Sequence, residues 1–471
     1  GLLLAWWGVD LLGVGGPQGL PHLGQIKVNA TVAAFTFLLA IGSTLLFGLI
    51  PALQVSRPAV NESLQQGAKG STAGSHGNRI RALLVVSQVS LSLLLLAGAG
   101  LLIKSFLNLR ATDPGFDPVR LMTLQINLPG IRYPEAEKQI RTHDAIVEKL
   151  AAIPGVESVG AANPLPLGTN SASLTFMVSG AAPLPLGNHP GAGYLVVKPE
   201  YFRTMKIPVL QGRAFTNADT KDSPLVAMIN KAFAQKHFPD RNPIGQQVMI
   251  DRGDGKAPPC EVVGVVGNSR HDSLAAPPGP EMYVPFSQDP GRTLDIVLRV
   301  ASTNLVGLNG DVKRAVSEVD KDLYVPTLEP MTTLLATQLA QPKFNMMLLA
   351  IFAGVAMVLA AIGIYGVIAY SVTQRTREIG IRMALGAQKT QMLGMVLRQS
   401  MTLVVIGLVI GFIVALAATR VMATLLYGVG ANDLSIYLVV ITLLAAAALL
   451  ASYIPARRAM KVDPMVALRY E

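Results

Sequence analysis

Thiol chemistry is almost absent from this chain, in which one of 471 residues is a cysteine, Cys260. An intrachain disulfide framework is thereby excluded, and a small buried thiol is the expected state of that sulfur. Charge is also scarce, at 14% of residues, against roughly 25% in an ordinary soluble protein. No Gly-x-x-x-x-Gly-Lys-Ser/Thr stretch occurs, so the loop that cradles nucleotide phosphates is missing. Its nearest echoes fail: Gln388 occupies the place of the required glycine in residues 386–390, and residues 67–71 do not match either. The chain has no His-Glu-x-x-His, no Cys/His pair at zinc spacing and no Gly-x-Ser-x-Gly elbow, so the sequence offers no catalytic residue and no metal site. The six histidines (His22, His76, His143, His189, His237 and His271) are expected at the surface. Asp219 and Asp222 are expected to be a solvated pair in a polar turn.

Apolar residues are abundant. They make up 51% of the chain, and the mean hydropathy is +0.44. A membrane span needs roughly 20 uncharged apolar residues. Residues 32–50, 83–103, 344–372, 401–419 and 434–454 meet that requirement, and residues 1–12 have the character of a truncated sixth span. Five such runs predict an α-helical transmembrane bundle with five complete spans and a partial one. Residues 104–343 have soluble composition, and their mixed β-rich and helical runs predict a large α/β domain.

Basic residues in the short loops set the orientation, because cytoplasmic loops accumulate Lys and Arg. Arg57, Lys69, Arg79 and Arg81 lie between the first two spans, and Arg375, Arg377, Arg382, Lys389 and Arg398 follow the third. Arg457, Arg458, Lys461 and Arg469 follow the last. Only Glu62, Glu378, Asp463 and Glu471 oppose them in those segments. The segments are expected to be cytoplasmic and the large domain to lie on the far side. The pI near 9.6 is accounted for by this topology, so no nucleic-acid groove is required.

A repeat brackets the module. PALQVSRPAVNESL (51–64) and PARRAMKVDPMVAL (455–468) align without a gap. With Gly1 standing where Met would, this predicts the last part of a longer, duplicated membrane protein. The Gly/Ser-rich GAKGSTAGSHG (67–77) is expected to be a flexible linker between its modules. The helix from Arg81 is expected to run to about Leu109, where Asp113-Pro114-Gly115 ends it. That helix and the one over 344–372 exceed a bilayer's thickness, which fits either a projecting stalk or simple tilt.

Within the large domain, strands are predicted at 121–128, 156–162, 193–197, 225–229, 261–267 and 294–300. Helices are predicted at 134–152, 199–205, 231–237 and 312–319, and Pro-rich loops at 163–167, 182–190 and 275–285. In the last part of the chain Gly407 and Gly411 form a Gly-x-x-x-Gly spacing that lets helices approach closely, within one module or between two.

One polar motif follows a membrane span directly: RTREIGIRMALGA, residues 375–387. Arg377, Glu378 and Arg382 can form a charged surface, and Ile379, Met383 and Leu385 offer apolar contacts. A short amphipathic helix lying in the interface explains the pattern as well as a partner-binding surface does.

The order of this motif resembles the cytoplasmic signature of the FtsX/MacB class of ABC-transporter permeases. VVKPEYFRTMKIPVLQGRAF (196–215), followed by VAMINKAFAQKHFP, NPIGQQV and EVVGVVGNSR, resembles the MacB-type periplasmic core domain. The ending PARRAMKVDPMVALRYE is similar to the usual family terminus, and the duplication with its linker is most similar to the orphan permeases first noted in acidobacteria. The resemblance implies the following organisation. Residues 1–66 end a first FtsX-like module, 67–80 are the cytoplasmic linker, 81–109 are a membrane helix extending outward, and 110–343 are the periplasmic core. Residues 344–471, with helices at 344–372, 399–420 and 434–454, are the second permease domain of a multi-pass protein of the bacterial inner membrane.

The resemblance also implies a mechanical role. A cytoplasmic ABC ATPase in a separate subunit supplies ATP hydrolysis and pushes on the coupling segment, and no cofactor is bound directly. Arg377, Glu378, Ile379, Gly380, Arg382, Gly386 and Ala387 match the contact signature. Gln388, where family members commonly have a small hydroxylated residue, leaves the cap of the next helix open. The implied partners are membrane lipid, the ATPase, the first module of the same longer chain, and periplasmic or outer-membrane proteins. An ATPase-independent scaffold or a periplasmic sensing protein is the competing reading.

Overall fold

The computed structural model describes residues 30–32, 34–38, 40–42, 45, 74–168, 172–179, 189–251, 257–302, 307–374, 381, 382, 385, 388–430 and 432–459. In chain order the elements are α1 (Gly74–Arg110), β1 (Leu121–Asn127), α2 (Ala136–Ala151), β2 (Val156–Asn163), β3 (Ser173–Val178) and β4 (Gly191–Val197). Next come α3 (Tyr201–Met205), β5 (Val209–Gly212), β6 (Val226–Asn230), α4 (Lys231–His237), β7 (Gln247–Asp251), β8 (Pro259–Val266) and β9 (Glu281–Pro285). Then follow β10 (Thr293–Val300), α5 (Leu308–Val319), β11 (Glu329–Pro330), α6 (Met331–Gln374), α7 (Lys389–Val421) and α8 (Leu434–Ala459). They fall into two compact units, Gly1–Arg110 with Ala340–Glu471, and Ala111–Leu339.

The second unit contains two packing arrangements within one connected sheet. In the first, the strand order is β11-β1-β10-β2 with every neighbour antiparallel. The connectivity β1-α2-β2, then β10-α5-β11, is the βαββαβ pattern of a ferredoxin-like fold, with the remaining strands inserted between β2 and β10. Helix α2 buries Gln139, His143, Ile146 and Leu150, a spacing that lines one face of a helix. Helix α5 buries Val312, Ala315 and Val316. Ile146, Leu150, Val312, Ala315 and Val316 meet Leu124, Ile126, Ile296 and Leu298 of the sheet in one core.

The inserted strands close on themselves. Their order is β4-β3-β7-β8-β6-β9, and β9 also pairs with β4 in parallel. Closure removes the open edges that a flat sheet would present. The interior holds Phe176, Tyr194, Ile229, Phe233, Val248, Ile250, Val262 and Met282, with Cys260 buried among them. Helix α4 is capped by Asn230, whose Oδ1 accepts from the Phe233 N–H at 2.8 Å.

The fold departs from the sequence pattern at several places. Residues 281–285, read as part of a Pro-rich loop, form β9, whose five residues are all buried. Its flanking prolines and Glu281 hide a strand that is hydrogen-bonded to both β4 and β6. Strands β3, β5, β7 and β11 also escaped the sequence pattern, being short or half-polar. His143 is not at the surface: it is fully buried, edge-on to Phe286 at 5.3 Å, with Nε2 3.3 Å from the Arg292 carbonyl. Burial, followed by the charge of Lys198, pushes its imidazole down to about 4. Asp219 is not solvated either. Its carboxylate accepts from both Arg213 Nη atoms, at 2.9 and 2.8 Å, and from the Thr216 N–H at 2.7 Å. The Arg213 hydrogen bonds hold it below the usual carboxylate range.

In the membrane unit, four helices among the described residues are long and apolar enough to cross a bilayer: 81–110, 331–373, 389–425 and 434–458. Of the run at 32–50, an apolar helix is described over Ala30–Gly42. The rest of that run, and residues 1–12, lie outside the described residues except for Leu45. Helix α6 begins at Met331, well ahead of the 344 start read from hydropathy, because its first residues are helical but more polar.

Candidate functional site

Helix α1 touches each of the other three spans. Against α7 the contact is made by glycine. An added Cβ on Gly407 would sit 2.9 Å from Val89 Cβ and 3.1 Å from the Val86 carbonyl oxygen. One on Gly411 would sit 2.9 Å from Ser90 Cα. The close approach lets Ser90 Oγ donate to the Gly407 carbonyl at 2.8 Å. This pairing of small residues with an interhelical hydrogen bond is how helices associate where water offers no driving force. The Gly-x-x-x-Gly face therefore packs within the module. Against α6, Ser92 Oγ donates to the Ala356 carbonyl at 3.0 Å. Helix α8 meets α7 through Phe412 and Tyr437, 5.2 Å apart edge to face.

The two ends of the bundle differ chemically. At one end α1 begins, α6 and α8 finish, and α7 begins. Here the Arg81 guanidinium lies 3.8 Å from the centre of the Tyr370 ring, and Arg458 Nη1 donates to the Tyr365 hydroxyl at 3.1 Å. These contacts tie α1 and α8 to α6 on the basic side. At the other end Lys104 pairs with Asp433, Asn108 Nδ2 donates to the Gly428 carbonyl at 3.0 Å, and Ser105 Oγ accepts from the Tyr427 N–H at 2.8 Å. No local pattern signals these tyrosine and loop contacts, because each partner is distant in the chain.

The RTREIGIRMALGA segment links α6 to α7. Arg377, Glu378, Ile379, Gly380, Gly386 and Ala387 lie outside the described residues. Ile381, Arg382 and Leu385 are described: a helical turn is closed by the Leu385 N–H donating to the Ile381 carbonyl at 3.0 Å. Leu385 is 83% exposed, and Arg382 Nη1 reaches Met395 Sδ on α7 at 3.3 Å. The start of α7 is capped by Gln388, whose N–H donates to Gln391 Oε1 at 3.3 Å. A glutamine pair thus does the work expected of a small hydroxylated residue. Among the described residues no group of three or more His, Cys, Asp or Glu could hold a metal ion.

Two families match the chain. The MacB-like periplasmic core domain matches residues 83–311, and the FtsX-like permease C-terminal domain matches residues 350–464. The macrolide export ATP-binding/permease protein MacB of Marinobacter nauticus is 27% identical over 274 residues, 56% of this chain and 41% of that protein. The same-named protein of Mannheimia succiniciproducens is 24% identical over 317 residues, 64% of this chain and 46% of that one. The chain thus spans less than half the length of these curated relatives. The uncharacterized ABC transporter permease YknZ of Bacillus subtilis is 26% identical over 290 residues, 58% of this chain and 68% of YknZ. Among solved structures, the periplasmic region of MacB from Actinobacillus actinomycetemcomitans shares 18% identity with a TM-score of 0.32, covering 49% of this chain and 97% of that one.

A bundle of membrane helices together with a periplasmic core domain defines a multi-pass membrane permease component. Within that class the chain belongs to the MacB/FtsX-like ABC permeases.

Proposed function

We propose that this chain is the permease part of a MacB-like ABC system of the bacterial inner membrane. It transmits ATP-driven motion from a cytoplasmic ATPase to its periplasmic domain, for efflux or for release of a periplasmic substrate. One observation carries the reading: the exposed turn at 381–385, with Leu385 open and Arg382 against α7, sits between two spans of the FtsX-like region. Motion imposed on that turn acts directly on the start of α7, which grips α1 through Gly407 and Gly411. ATP enters only through the partner ATPase. A first module of the same longer chain supplies the second half of the assembly, and periplasmic or outer-membrane proteins receive the output.

The test is recovery of ABC ATPases with the full-length protein in detergent. Glu378→Lys and Arg382→Glu are expected to cut ATPase recovery severalfold, since charge reversal at an interface replaces attraction with repulsion. Membrane abundance should be unchanged, and Arg457→Ala should have little effect. Recovery of no ATPase by the unaltered protein, or equal recovery by the reversals, removes the coupling role and leaves an ATPase-independent scaffold.

A further inference from the structure

We propose that the cavity beneath the 270–280 loop of the periplasmic unit binds a small primary amine, with Glu281 and Asp272 holding its ammonium group. This goes beyond the coupling role and stands whether or not an ATPase engages the membrane unit.

The cavity has a volume of about 160 Å³ and lies over the starts of β3, β4 and β9, three neighbouring strands of the closed sheet. At roughly 30 Å³ per water, it has room for about five waters, or for one compact organic molecule. Glu281 lines it and is 4% exposed. The Tyr283 hydroxyl and Ser269 Oγ, the latter at 3.3 Å, both meet Glu281 Oε2, and Oε1 has no hydrogen-bond partner among the described residues. Asn230 fixes the rim by accepting from the Glu281 N–H at 3.1 Å and donating to the Gly279 carbonyl at 2.7 Å.

The charges around the cavity favour a cation. Asp272 lines the same space, and neither carboxylate has an ion-pair partner among the described residues. Arg270 lines it too, but its guanidinium donates to the carbonyls of Leu274 at 2.9 Å, Asp113 at 3.3 Å and Ala276. His271 is kept neutral by burial, which lowers its imidazole. Tyr283, and Tyr201 deeper in the core, are held protonated by burial. Burial, with the nearby Asp272 charge adding to it, pushes the Glu281 carboxyl up to about 7, against the hydrogen bonds from Tyr283 and Ser269. A buried carboxyl without a countercharge is the group that an incoming ammonium stabilises in its ionised form.

The experiment is calorimetric titration of propylamine into the full chain in detergent, with 1-propanol and acetate as the neutral and anionic controls. Propylamine should bind saturably with a millimolar Kd, and the controls should not bind. Glu281→Gln keeps a hydrogen-bonding group beside Tyr283 and should weaken binding at least tenfold. Asp272→Asn, at an exposed position, should weaken it severalfold. With Glu281 titrating near 7 and the amine charged throughout, Kd should be about tenfold lower at pH 8 than at pH 6. That dependence should vanish in Glu281→Gln. If that variant does not fold, Asp272→Asn and the pH dependence of the unaltered protein decide. Absence of saturable propylamine binding, equal binding of 1-propanol, or an unchanged Kd in folded Glu281→Gln overturns the proposal.

Discussion

Replacing Gly407 with alanine puts a methyl group 2.9–3.1 Å from Val89 Cβ, Val89 Cγ1 and the Val86 carbonyl oxygen of α1. Carbon contacts are comfortable at about 3.5–4.0 Å, so α1 and α7 must separate by roughly half an ångström or more. Overpacking of this kind costs about 1–3 kcal/mol. Separation also stretches the Ser90 Oγ–Gly407 carbonyl bond of 2.8 Å, and interhelical bonds in membranes are worth about 0.6 kcal/mol on average. Alanine returns up to about 1 kcal/mol of helix propensity. The expected net loss is therefore about 1–2 kcal/mol, and a similar loss holds for Gly411→Ala, whose Cβ would meet Ser90 Cα at 2.9 Å. Gly394, on the same helix, has nothing within 4 Å of its Cβ position, so Gly394→Ala should be neutral or stabilising. Thermal unfolding of the full chain in a mild detergent reads these differences at roughly 2–4 °C per kcal/mol. If Gly407→Ala melts at or above Gly394→Ala, the glycine contact does not hold the bundle together.

Three further outcomes are expected. His143, neutral in the fold down to about 4 but titrating near 6.5 when unfolded, binds more protons in the unfolded chain between those values. Its contribution is thus complete above about pH 6.5 and declines by up to about 3 kcal/mol toward pH 4, and Tm measured across that range should fall less steeply in His143→Gln. Asp219→Asn should lower stability at pH 7 by about 1–2 kcal/mol, Arg213 being half exposed. Because Arg213 depresses the Asp219 pKa, that gap should close as pH falls below the unfolded value of about 3.9, and a gap constant down to pH 2 would refute the ion-pair account. In a Cys260→Ser background, a cysteine at Ile131, which is 98% exposed, should react with an impermeant maleimide in intact cells. A cysteine at Gly74 should react only after permeabilisation, and the reverse pattern would invert the topology.

The sequence alone determined the membrane spans from 83 onward, because uncharged apolar runs of that length have few soluble alternatives. It determined the positions of β1, α2, β2, α4, β10 and α5, since each carries a clear two- or 3.6-residue periodicity. Gly407 and Gly411 could be picked out by their spacing alone, but tertiary structure decided that their partner is α1 of the same module. Tertiary structure also closed β9 against β4. Neither strand's sequence contains that parallel pairing, because it joins residues about ninety positions apart. The same holds for His143, which composition assigns to water and which meets the carbonyl of Arg292, 149 positions along the chain. Asp219 and Glu281 have partners close in sequence, Arg213 and Tyr283, but it is the surrounding fold that buries both carboxylates. Local pattern reports which side chains prefer apolar surroundings. Which polar groups find partners there depends on contacts between segments that only the folded chain brings together.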